Sequence, residues 1–456
     1  MNPPIAPERV LPTLNADGTR NRIRPRLYPG PLHARRRWLG WALIGLFVGL
    51  PIVHVAGKPA VFLDVVHREF TLFGHTFLAT DGALLMLLML TIFAIVFWTT
   101  ALVGRAWCGW GCPQTVYMEF LFRPIERLFE GKRESQIQLD KAGPSGRRLA
   151  KNAVFLLLSF ALANVFLAYF VGTRALRSWV LEAPSQHMAG FLVVCVTAGL
   201  MFFDFAYFRE QMCTVICPYA RLQSVLLDRR SLLIGYDAKR GEPRSKGKQK
   251  PGNGDCIDCR ACVVACPTGI DIREGLQLEC IACAQCVDAC DSIMARIHKP
   301  AGLIRYASQE ALETGQTRSA LRPRVVIYSV MLVGLLLTLG TSLLTKPSAE
   351  VTVLRGIGAP FTENGEQIVN QIRIKVRNRS SNAQSYRLEL SDFERAQLIA
   401  PENPLSVPAG EQRTTSVFVM APKSELRGAR AVRFRVSGGQ GFRIELPYEL
   451  LGPEAR

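Results

Sequence analysis

Residues 254–292 read GDCIDCRACVVACPTGIDIREGLQLECIACAQCVDACDS and contain the same cysteine pattern, C-x2-C-x2-C-x3-C, twice. The eight cysteines are Cys256, Cys259, Cys262 and Cys266 in the first run, and Cys280, Cys283, Cys286 and Cys290 in the second. A [4Fe–4S] cluster needs four thiolates, of which one short C-x2-C-x2-C loop supplies three. The fourth must come from elsewhere in the chain. The stretch therefore predicts a ferredoxin with two clusters.

The fourth cysteine of each run allows the ligand sets to be assigned. In two-cluster ferredoxins this cysteine ligates the cluster of the other run. The predicted sets are Cys256, Cys259, Cys262 and Cys290 for the first cluster, and Cys266, Cys280, Cys283 and Cys286 for the second. Zinc knuckles and a disulfide framework are the alternatives. Zinc sites usually pair two C-x2-C clips across a longer gap, and disulfides need an oxidising compartment.

Composition and charge place these clusters in a membrane protein. The chain has 456 residues, enough for two or three domains, and a mean hydropathy of +0.15 with 49% hydrophobic residues. Its net charge of +18 could indicate a nucleic acid or a membrane surface as the partner. Arginines and lysines cluster beside long apolar segments, which favours the membrane. We therefore predict no nucleic-acid partner.

Five apolar segments are long enough to be predicted as membrane spans, since about 20 apolar residues cross the hydrocarbon core. They are Trp38 to about Val55, Gly82 to Val103, Asn152–Val171, Met188–Phe208 and Val325–Leu344. Residues 1–37, rich in Pro and Arg, are predicted to be a disordered tail. Residues 56–81 are predicted to be a re-entrant or interfacial loop.

The distribution of Lys and Arg predicts the orientation of these spans. The tail, the 104–151 loop and the 209–324 segment are rich in both residues, whereas residues 56–81 and 172–187 carry few. By the positive-inside rule the N-terminus and the clusters are cytoplasmic. An odd number of spans then puts the C-terminus outside. The clusters would thus lie in the reducing compartment.

Residues 350–456 have a different character. Short alternating runs such as QIRIKVRN and AVRFRVSG are separated by Gly, Pro and Asn turns, a pattern typical of a β-sandwich. The predicted domains are a cytoplasmic tail (1–37), a four-helix membrane domain (38–235), a cytoplasmic ferredoxin domain with linkers (236–324), a fifth span (325–345) and the outer sandwich (350–456). The fold class is a helical membrane bundle with an α+β ferredoxin insert and a β-sandwich.

A second group of cysteines forms an internal repeat. Cys108-x3-Cys112-Pro113 and Cys213-x3-Cys217-Pro218 each follow an apolar span and precede an amphipathic stretch, and they lie 105 residues apart. The repeat predicts that the four thiols meet at the cytoplasmic membrane face. Four such thiols could bind Cu(I), zinc or another iron–sulfur cluster, or could form a reversible dithiol. Asp204, within the fourth span, is a further functional candidate because a carboxylate is costly in lipid.

With these motifs the chain resembles the cytochrome c oxidase accessory proteins of the CcoG/FixG/RdxA type. The stretches GRAWCGWGCPQTVYMEFLFRPIERLFEG and QMCTVICPYARLQSVLLD look like its membrane motifs, and residues 350–456 look like its immunoglobulin-like outer domain. The resemblance implies a bacterial inner-membrane protein that reduces Cu(II) to Cu(I) during assembly of a cbb3-type cytochrome oxidase. It implies oxidase subunits or copper-delivery proteins as partners, with an electron donor that is not identified.

Three functions follow from the sequence and this resemblance. The first is copper reduction, with Cys108, Cys112, Cys213 and Cys217 as the copper or redox thiols. The second is a quinol-linked electron-transfer subunit for another reductase. The third is a non-catalytic scaffold or redox sensor for oxidase assembly, in which the sandwich holds the partner.

Overall fold

A computed structural model describes most of the chain and divides it into two compact units, Met1–Leu339 and Gly340–Arg456. The described residues are 13, 21–55, 58–66, 69–78, 81–245, 252–275, 277–315, 322–345, 347–380 and 382–453. Most of the predicted N-terminal tail, residues 1–12 and 14–20, lies outside them.

The membrane part of the first unit is built from helices. Their bounds are α1 Pro31–Gly49, α2 Gly82–Val103, α3 Ala106–Trp110, α4 Pro113–Tyr117, α5 Arg123–Glu130, α6 Arg133–Ala142, α7 Gly146–Val171, α8 Thr173–Leu181, α9 Met188–Phe203 and α10 Pro218–Leu226. Single π-helical turns, Met118–Phe122, Asp204–Phe208 and Met212–Ile216, lie between α4 and α5 and between α9 and α10. A core of aromatic side chains from four of these elements, including Tyr117, Phe122, Phe155 and Phe205, fills the interior.

Among the described residues, four segments are long and apolar enough to cross a membrane. They are Gly82–Val103, Gly146–Val171, Met188–Phe208 and Pro323–Leu344. These segments confirm the last four predicted spans, and they make the chain a membrane protein.

The first predicted span, Trp38 to Val55, is wrong in its bounds. The helix α1 begins seven residues earlier at Pro31 and ends at Gly49, and Val55 belongs to a short strand. Pro31 favours a helix start because its fixed φ suits the first turn. The apolar part of α1, Trp38–Gly49, is its C-terminal portion, and the residues before it are partly charged.

The described residues between His54 and Leu78 form antiparallel strands, where the sequence predicts a re-entrant or interfacial loop over residues 56–81. Their bounds are β1 His54–Val55, β2 Lys58–Pro59, β3 Val61–Asp64, β4 Glu69–Leu72 and β5 His75–Leu78. The strands β3, β4 and β5 pair in sequence order into a small sheet. Pairing satisfies the backbone polar groups, which an irregular segment in lipid could not do.

The described part of the predicted disordered tail is ordered against the ferredoxin. Arg26 donates its backbone N–H to the carbonyl of Val264 at 2.9 Å. The Asp288 carboxylate accepts the backbone N–H groups of Leu32 and His33, at 3.3 and 2.7 Å, and so caps the N-terminus of α1. Disorder is therefore the wrong description of residues 21–37, because these partners lie more than 200 residues away in sequence.

The ferredoxin part is a small α+β unit. Its elements are β6 Leu233–Tyr236, α11 Ala238–Gly241, α12 Ala261–Ala265, a 3-10 turn Ile272–Glu274, α13 Gln285–Arg296, β7 Ile304–Ala307 and α14 Gln309–Thr314. The strands β6 and β7 pair antiparallel, with Ile234 opposite Tyr306. Isoleucines, alanines and cysteines share one buried core here. The helix α15, Pro323–Leu344, follows, and Trp98 Nε1 of α2 donates a hydrogen bond to Ser329 Oγ of α15 at 2.8 Å.

The second unit contains the β-sandwich that the alternating runs predict. Its strands are β8 Ala349–Arg355, β9 Thr362–Asn364, β10 Gln367–Asn378, β11 Gln384–Ser391, β12 Gln397–Ile399, β13 Leu405–Val407, β14 Gln412–Pro422, β15 Ala429–Ser437 and β16 Arg443–Leu451. One sheet has the order β12-β14-β10-β8, with β9 also on β10, and the other has the order β13-β11-β15-β16. Alternate residues of β10 are buried, as the period of two requires.

Candidate metal centres

The two ferredoxin loops have the same unusual backbone. In each loop the second and fourth residues after the first cysteine adopt positive φ: Asp258 and Arg260 at 50° and 55°, and Ala282 and Ala284 at 54° and 60°. None of these residues is glycine, and such conformations persist only where the surroundings enforce them, typically at ligand clamps. A helix begins at the fifth residue of each loop. The two loops therefore curl in the same way around a centre.

The eight thiols fall into the two predicted neighbourhoods. Cys290 interacts electrostatically with Cys256, Cys259 and Cys262, and Cys280 interacts with Cys266 and Cys283. A cavity is lined by all four cysteines of the second set, by one cysteine of the first set and by mostly apolar residues, namely Cys266, Cys280, Cys283, Cys286, Cys262, Thr268, Ile234, Ile270, Ile272 and Ile281. The fourth cysteine of each run thus lies with the first three cysteines of the other run, as the predicted ligand sets require.

The burial of these thiols fits a cationic ligand. Burial raises the pKa of Cys280 to about 12 and that of Cys283 to about 11, so the thiolate that a cluster needs is disfavoured further than in water. A metal reverses this preference by stabilising the thiolate. Among the described residues, no three His, Cys, Asp or Glu side chains converge on one ion. A cubane cluster spreads its thiolates over separate iron atoms.

The two C-x3-C-P repeats also share one geometry. Cys112 donates its backbone N–H to the Trp107 carbonyl at 2.8 Å, and Cys217 donates to the Met212 carbonyl at 2.9 Å. In both repeats the acceptor is the residue just before the first cysteine. The proline after each pair occupies the first turn of a helix, α4 or α10, as predicted.

The residue that ends each preceding span has the same conformation. Gly104 has φ 59° and ψ −129°, and Arg209 has φ 55° and ψ −120°. At Gly104 a Cβ would lie 2.1 Å from the carbonyl oxygen of Leu232, so glycine is required. Arg209 accepts a backbone strain that glycine would avoid, and its side chain is 9% exposed.

The four thiols of the repeats lie within electrostatic range of one another. Cys213 interacts electrostatically with Cys108, Cys112 and Cys217, and burial is the main cause that raises the pKa of the Cys213 thiol. Burial likewise raises the pKa of Cys108 to about 12. We call this group, Cys108, Cys112, Cys213 and Cys217, the membrane thiols.

The membrane thiols lie next to the second ferredoxin set. Cys108 packs in one buried cluster with Ile281 and Cys283, with Cys213 and Tyr219 at its side. The contact is close at Gly109, where a Cβ would lie 2.6 Å from the Ile281 carbonyl oxygen and 2.8 Å from the backbone nitrogen of Cys283. Only glycine fits between the two centres without displacing backbone.

Several polar residues around these thiols were not identified from the sequence. Cys108 Sγ donates to Gln223 Oε1 at 3.1 Å, and Gln223 is fully buried. Gln114 Nε2 donates to Asp204 Oδ1 at 3.1 Å, which links the first repeat to the second. Asp204 is therefore a partner of the motif helix. A single glutamine belongs to no sequence motif, so Gln114 and Gln223 could not be found from the sequence. Arg105 and Glu210 could have been found by aligning the two repeats, because each lies three residues before a cysteine.

A buried network of ions holds the repeats to each other. Arg209 donates two hydrogen bonds to Glu126, at 2.9 and 3.0 Å, and Arg24 and Lys151 also lie beside this carboxylate. Arg123 pairs with Glu119 and Glu210. Burial alone would raise the pKa of Glu126, but the cations, Arg209 first, outweigh it and hold that pKa at about 2.

Protein-family models match three parts of the chain. A 4Fe-4S dicluster domain matches residues 208–309, and a 4Fe-4S binding domain matches residues 85–134. The immunoglobulin-like fold at the C-terminus of FixG matches residues 339–453. These matches and the loop geometry define the class of protein: a membrane-bound 4Fe–4S electron-transfer protein with a β-sandwich of immunoglobulin-like fold.

Curated relatives identify the family. The chain is 35% identical to Protein RdxA of Cereibacter sphaeroides, over 81% of this chain and 82% of the relative, and 33% identical to Protein RdxB of the same organism, over 89% and 90%. It is 34% identical to Nitrogen fixation protein FixG of Rhizobium meliloti, over 65% and 60%. The chain belongs to the RdxA/FixG family, as the resemblance of its motifs indicates.

Proposed function

We propose that this protein passes electrons from a cytoplasmic donor to copper at the membrane thiols, and so reduces Cu(II) to Cu(I) for assembly of a cbb3-type cytochrome oxidase. Each Cu(II) gains one electron, and the donor loses it. The observation that carries the proposal is the packing of Cys108 against Cys283. Thiolates are soft ligands that favour Cu(I) over harder ions.

The residues of the chain have separate tasks in this proposal. The two ferredoxin sets would hold two [4Fe–4S] clusters, which supply one-electron redox chemistry. The first set is Cys256, Cys259, Cys262 and Cys290, and the second is Cys266, Cys280, Cys283 and Cys286. Cys283 and Cys286 of the second set are buried, and no cysteine of that set is exposed. Cys259 is exposed, which favours the first set as the point where the donor docks.

The proposed location is the bacterial inner membrane, with the ferredoxin in the cytoplasm and the sandwich in the periplasm. This topology needs α1 to cross together with the four apolar helices. The helix has 19 residues, about 28 Å, and its two ends contact Asp288 of the ferredoxin and Tyr169 near the end of α7. Trp38, Trp41 and Leu46 leave an apolar outer face on it. Protease added from outside tests this orientation. It should digest the sandwich in spheroplasts, whose periplasmic face is exposed, and leave it intact in inverted membrane vesicles, whose cytoplasmic face is exposed.

Cu(II) reduction by the purified protein is the direct test. The clusters are reduced chemically without oxygen, Cu(II) is added, and Cu(I) is trapped by a chromogenic chelator. A variant with Cys108, Cys112, Cys213 and Cys217 changed to Ser should retain its ferredoxin iron and lose Cu(I) production. Equal reduction by both proteins would remove the support for copper at these thiols.

A third iron–sulfur cluster at the membrane thiols is the second candidate. The matched 4Fe-4S binding domain at residues 85–134 contains Cys108 and Cys112. Iron analysis separates the two possibilities, because two clusters bring roughly eight iron atoms per chain and three bring roughly twelve. The same Ser variant would then lose about a third of the iron.

The quinol-linked alternative has one cavity in its favour. A cavity of about 160 Å³ lies between α7, α8 and α9, where His187 stacks on Trp179 and bonds to Glu182 at 2.6 Å. However, His187 precedes the segment Met188–Phe208, and the membrane thiols follow the other end of that segment, about 30 Å away at 1.5 Å per residue. That separation disfavours direct electron transfer.

The scaffold alternative assigns the sandwich a separate role. A chain without residues 350–456 that still reduced copper but no longer supported oxidase assembly would favour it. Loss of both functions would favour a role of the sandwich in folding.

A further inference from the structure

Two buried arginines lie beside the second ferredoxin set, on the side of the membrane thiols. Arg36 of α1 is 1% exposed, and Arg105, just before α3, is 5% exposed. Arg36 Nε donates to the Gly109 carbonyl at 2.9 Å, and Gly109 lies against the backbone of Cys283. Arg105 donates to the carbonyl of Cys280 at 3.3 Å. Two cysteines of the second set are therefore each approached by one guanidinium.

Both arginines bring charge that nearby acids balance only in part. Arginine stays protonated in proteins, and each of these side chains keeps a buried nitrogen without a hydrogen-bond partner among the described residues, Nη1 of Arg36 and Nε of Arg105. Glu119 interacts electrostatically with Arg36 and with Cys283. Its carboxylate, however, is bonded to Arg123 at 2.6 Å. The second set therefore lies in a positive environment.

The charges around the first ferredoxin set are paired with one another. Asp271 and Arg273 act on Cys262, and Asp291 acts on Cys290. Arg273 forms ion pairs with Asp258 at 2.5 Å and Asp271 at 2.6 Å, so its charge is neutralised locally. Asp255, beside Cys256, is likewise paired with Arg240 and Lys299. The charges around the first set are therefore largely neutralised by one another.

We propose that Arg36 and Arg105 raise the reduction potential of the group held by the second set and thereby direct electrons toward the membrane thiols. Reduction adds one negative charge without proton transfer or bond cleavage, and a nearby positive charge in a buried site stabilises the reduced form. The inference rests on the ligand sets of the proposed function and does not need copper. Water near exposed Cys259 also stabilises added charge at the first set.

The test is a redox titration of the full-length protein in detergent, without copper, followed by electron paramagnetic resonance. The reductant is dithionite. In Arg36→Gln and in Arg105→Gln, the same one of the two cluster potentials should shift to a more negative value, while the other stays. Glu119→Gln removes the acid near Cys283 and should shift that potential in the opposite direction.

Two matched variants separate charge from packing. Arg36→Lys keeps the charge and should keep the wild-type potential. Arg37→Gln removes an equal charge from the exposed neighbour on the same helix and should change neither potential. Equal shifts in Arg36→Gln and Arg36→Lys, or no shift with iron content intact, would overturn the proposal. If Arg36→Gln loses iron, the other two variants decide. The proposal requires that Arg105→Gln and Glu119→Gln shift the cluster potential in opposite directions, and shifts of the same sign would overturn it. Copper reduction is measured in a separate experiment, so a protein that does not reduce copper can still show the predicted shifts in cluster potential.

Discussion

Arg209 shows how single residues stabilise the junction of the two repeats. It ends the fourth span with a φ of 55°, where the first repeat has Gly104, and its guanidinium is buried against Glu126. A glycine would relieve the backbone but would leave Glu126 with fewer cations. Breaking a buried ion pair costs about 3–5 kcal/mol, more than the roughly 1–3 kcal/mol of backbone strain. The ion pair therefore explains why a strained arginine is tolerated.

The low pKa of Glu126 predicts acid-dependent stability. Its pKa is about 2 in the fold against an ordinary 4.5, so its ionisation stabilises the protein above pH 4.5, and this contribution is lost as the pH falls toward 2. Glu126→Gln should lower the free energy of unfolding by about 3–5 kcal/mol at pH 6. It should also flatten the loss of stability between pH 4.5 and 3. Thermal unfolding in detergent, followed by circular dichroism, measures both effects.

The control for this prediction is the exposed residue Glu134. Glu134→Gln should match the wild type at every pH, which separates the buried carboxylate from general acid effects such as cluster loss. A Glu126→Gln variant whose stability falls as steeply with acid as that of the wild type would contradict the prediction.

At the scale of elements, the contact between α3 and the second ferredoxin loop joins the two centres. Its closest point is Gly109, and Arg105 and Tyr306 hold the same loop through the carbonyls of Cys280 and Ala282. Tyr306 Oη also accepts from Trp110 Nε1 at 2.9 Å, so α3 is bonded to the ferredoxin from both sides. Close approach matters here because an electron must pass between the centres.

A side chain at Gly109 should therefore separate the two centres. Gly109→Ala places a Cβ within 2.8 Å of backbone atoms, and such overpacking costs about 1–3 kcal/mol. We expect ferredoxin iron to be retained and the rate of Cu(I) formation to fall. Gly146→Ala, where the added Cβ meets nothing within 4 Å, is the matched control. A Gly109→Ala protein with wild-type stability and rate would show that this contact is not needed.

At the scale of the whole molecule, the Gly340–Arg456 unit has a core of its own. Ile368, Ile372, Ile374, Val417 and Phe434, from both sheets, are fully buried in it. This core of 20 buried residues is of the size that a domain of about 100 residues needs to fold alone.

We therefore expect residues 340–456, expressed alone, to unfold cooperatively in urea. Ile372→Ala removes a fully buried side chain and should lower the free energy of unfolding by about 2–5 kcal/mol. Ile357→Ala, at a residue 78% exposed, should change it by less than about 0.5 kcal/mol. A non-cooperative transition in the isolated segment would contradict independent folding.

Much of this architecture follows from local pattern. Four apolar segments, the alternating strands of the sandwich and the doubled cysteine pattern are periodic or exact in spacing, and the helices, sheets and loops they predict depend on nearby residues. The predicted start of α2 at Gly82 and the proline-initiated helices α4 and α10 match the structure for this reason.

Other features are set by residues far apart in the chain. The order of residues 21–30, the start of α1 and its buried Arg36 depend on Val264, Asp288 and Gly109, which no local pattern links to them. The sequence by itself determined the classes of element and the two groups of thiols, because these depend on spacing along the chain. Only the tertiary structure decided that Cys108 meets Cys283 and which charges surround each thiol set, because such contacts depend on how distant elements pack.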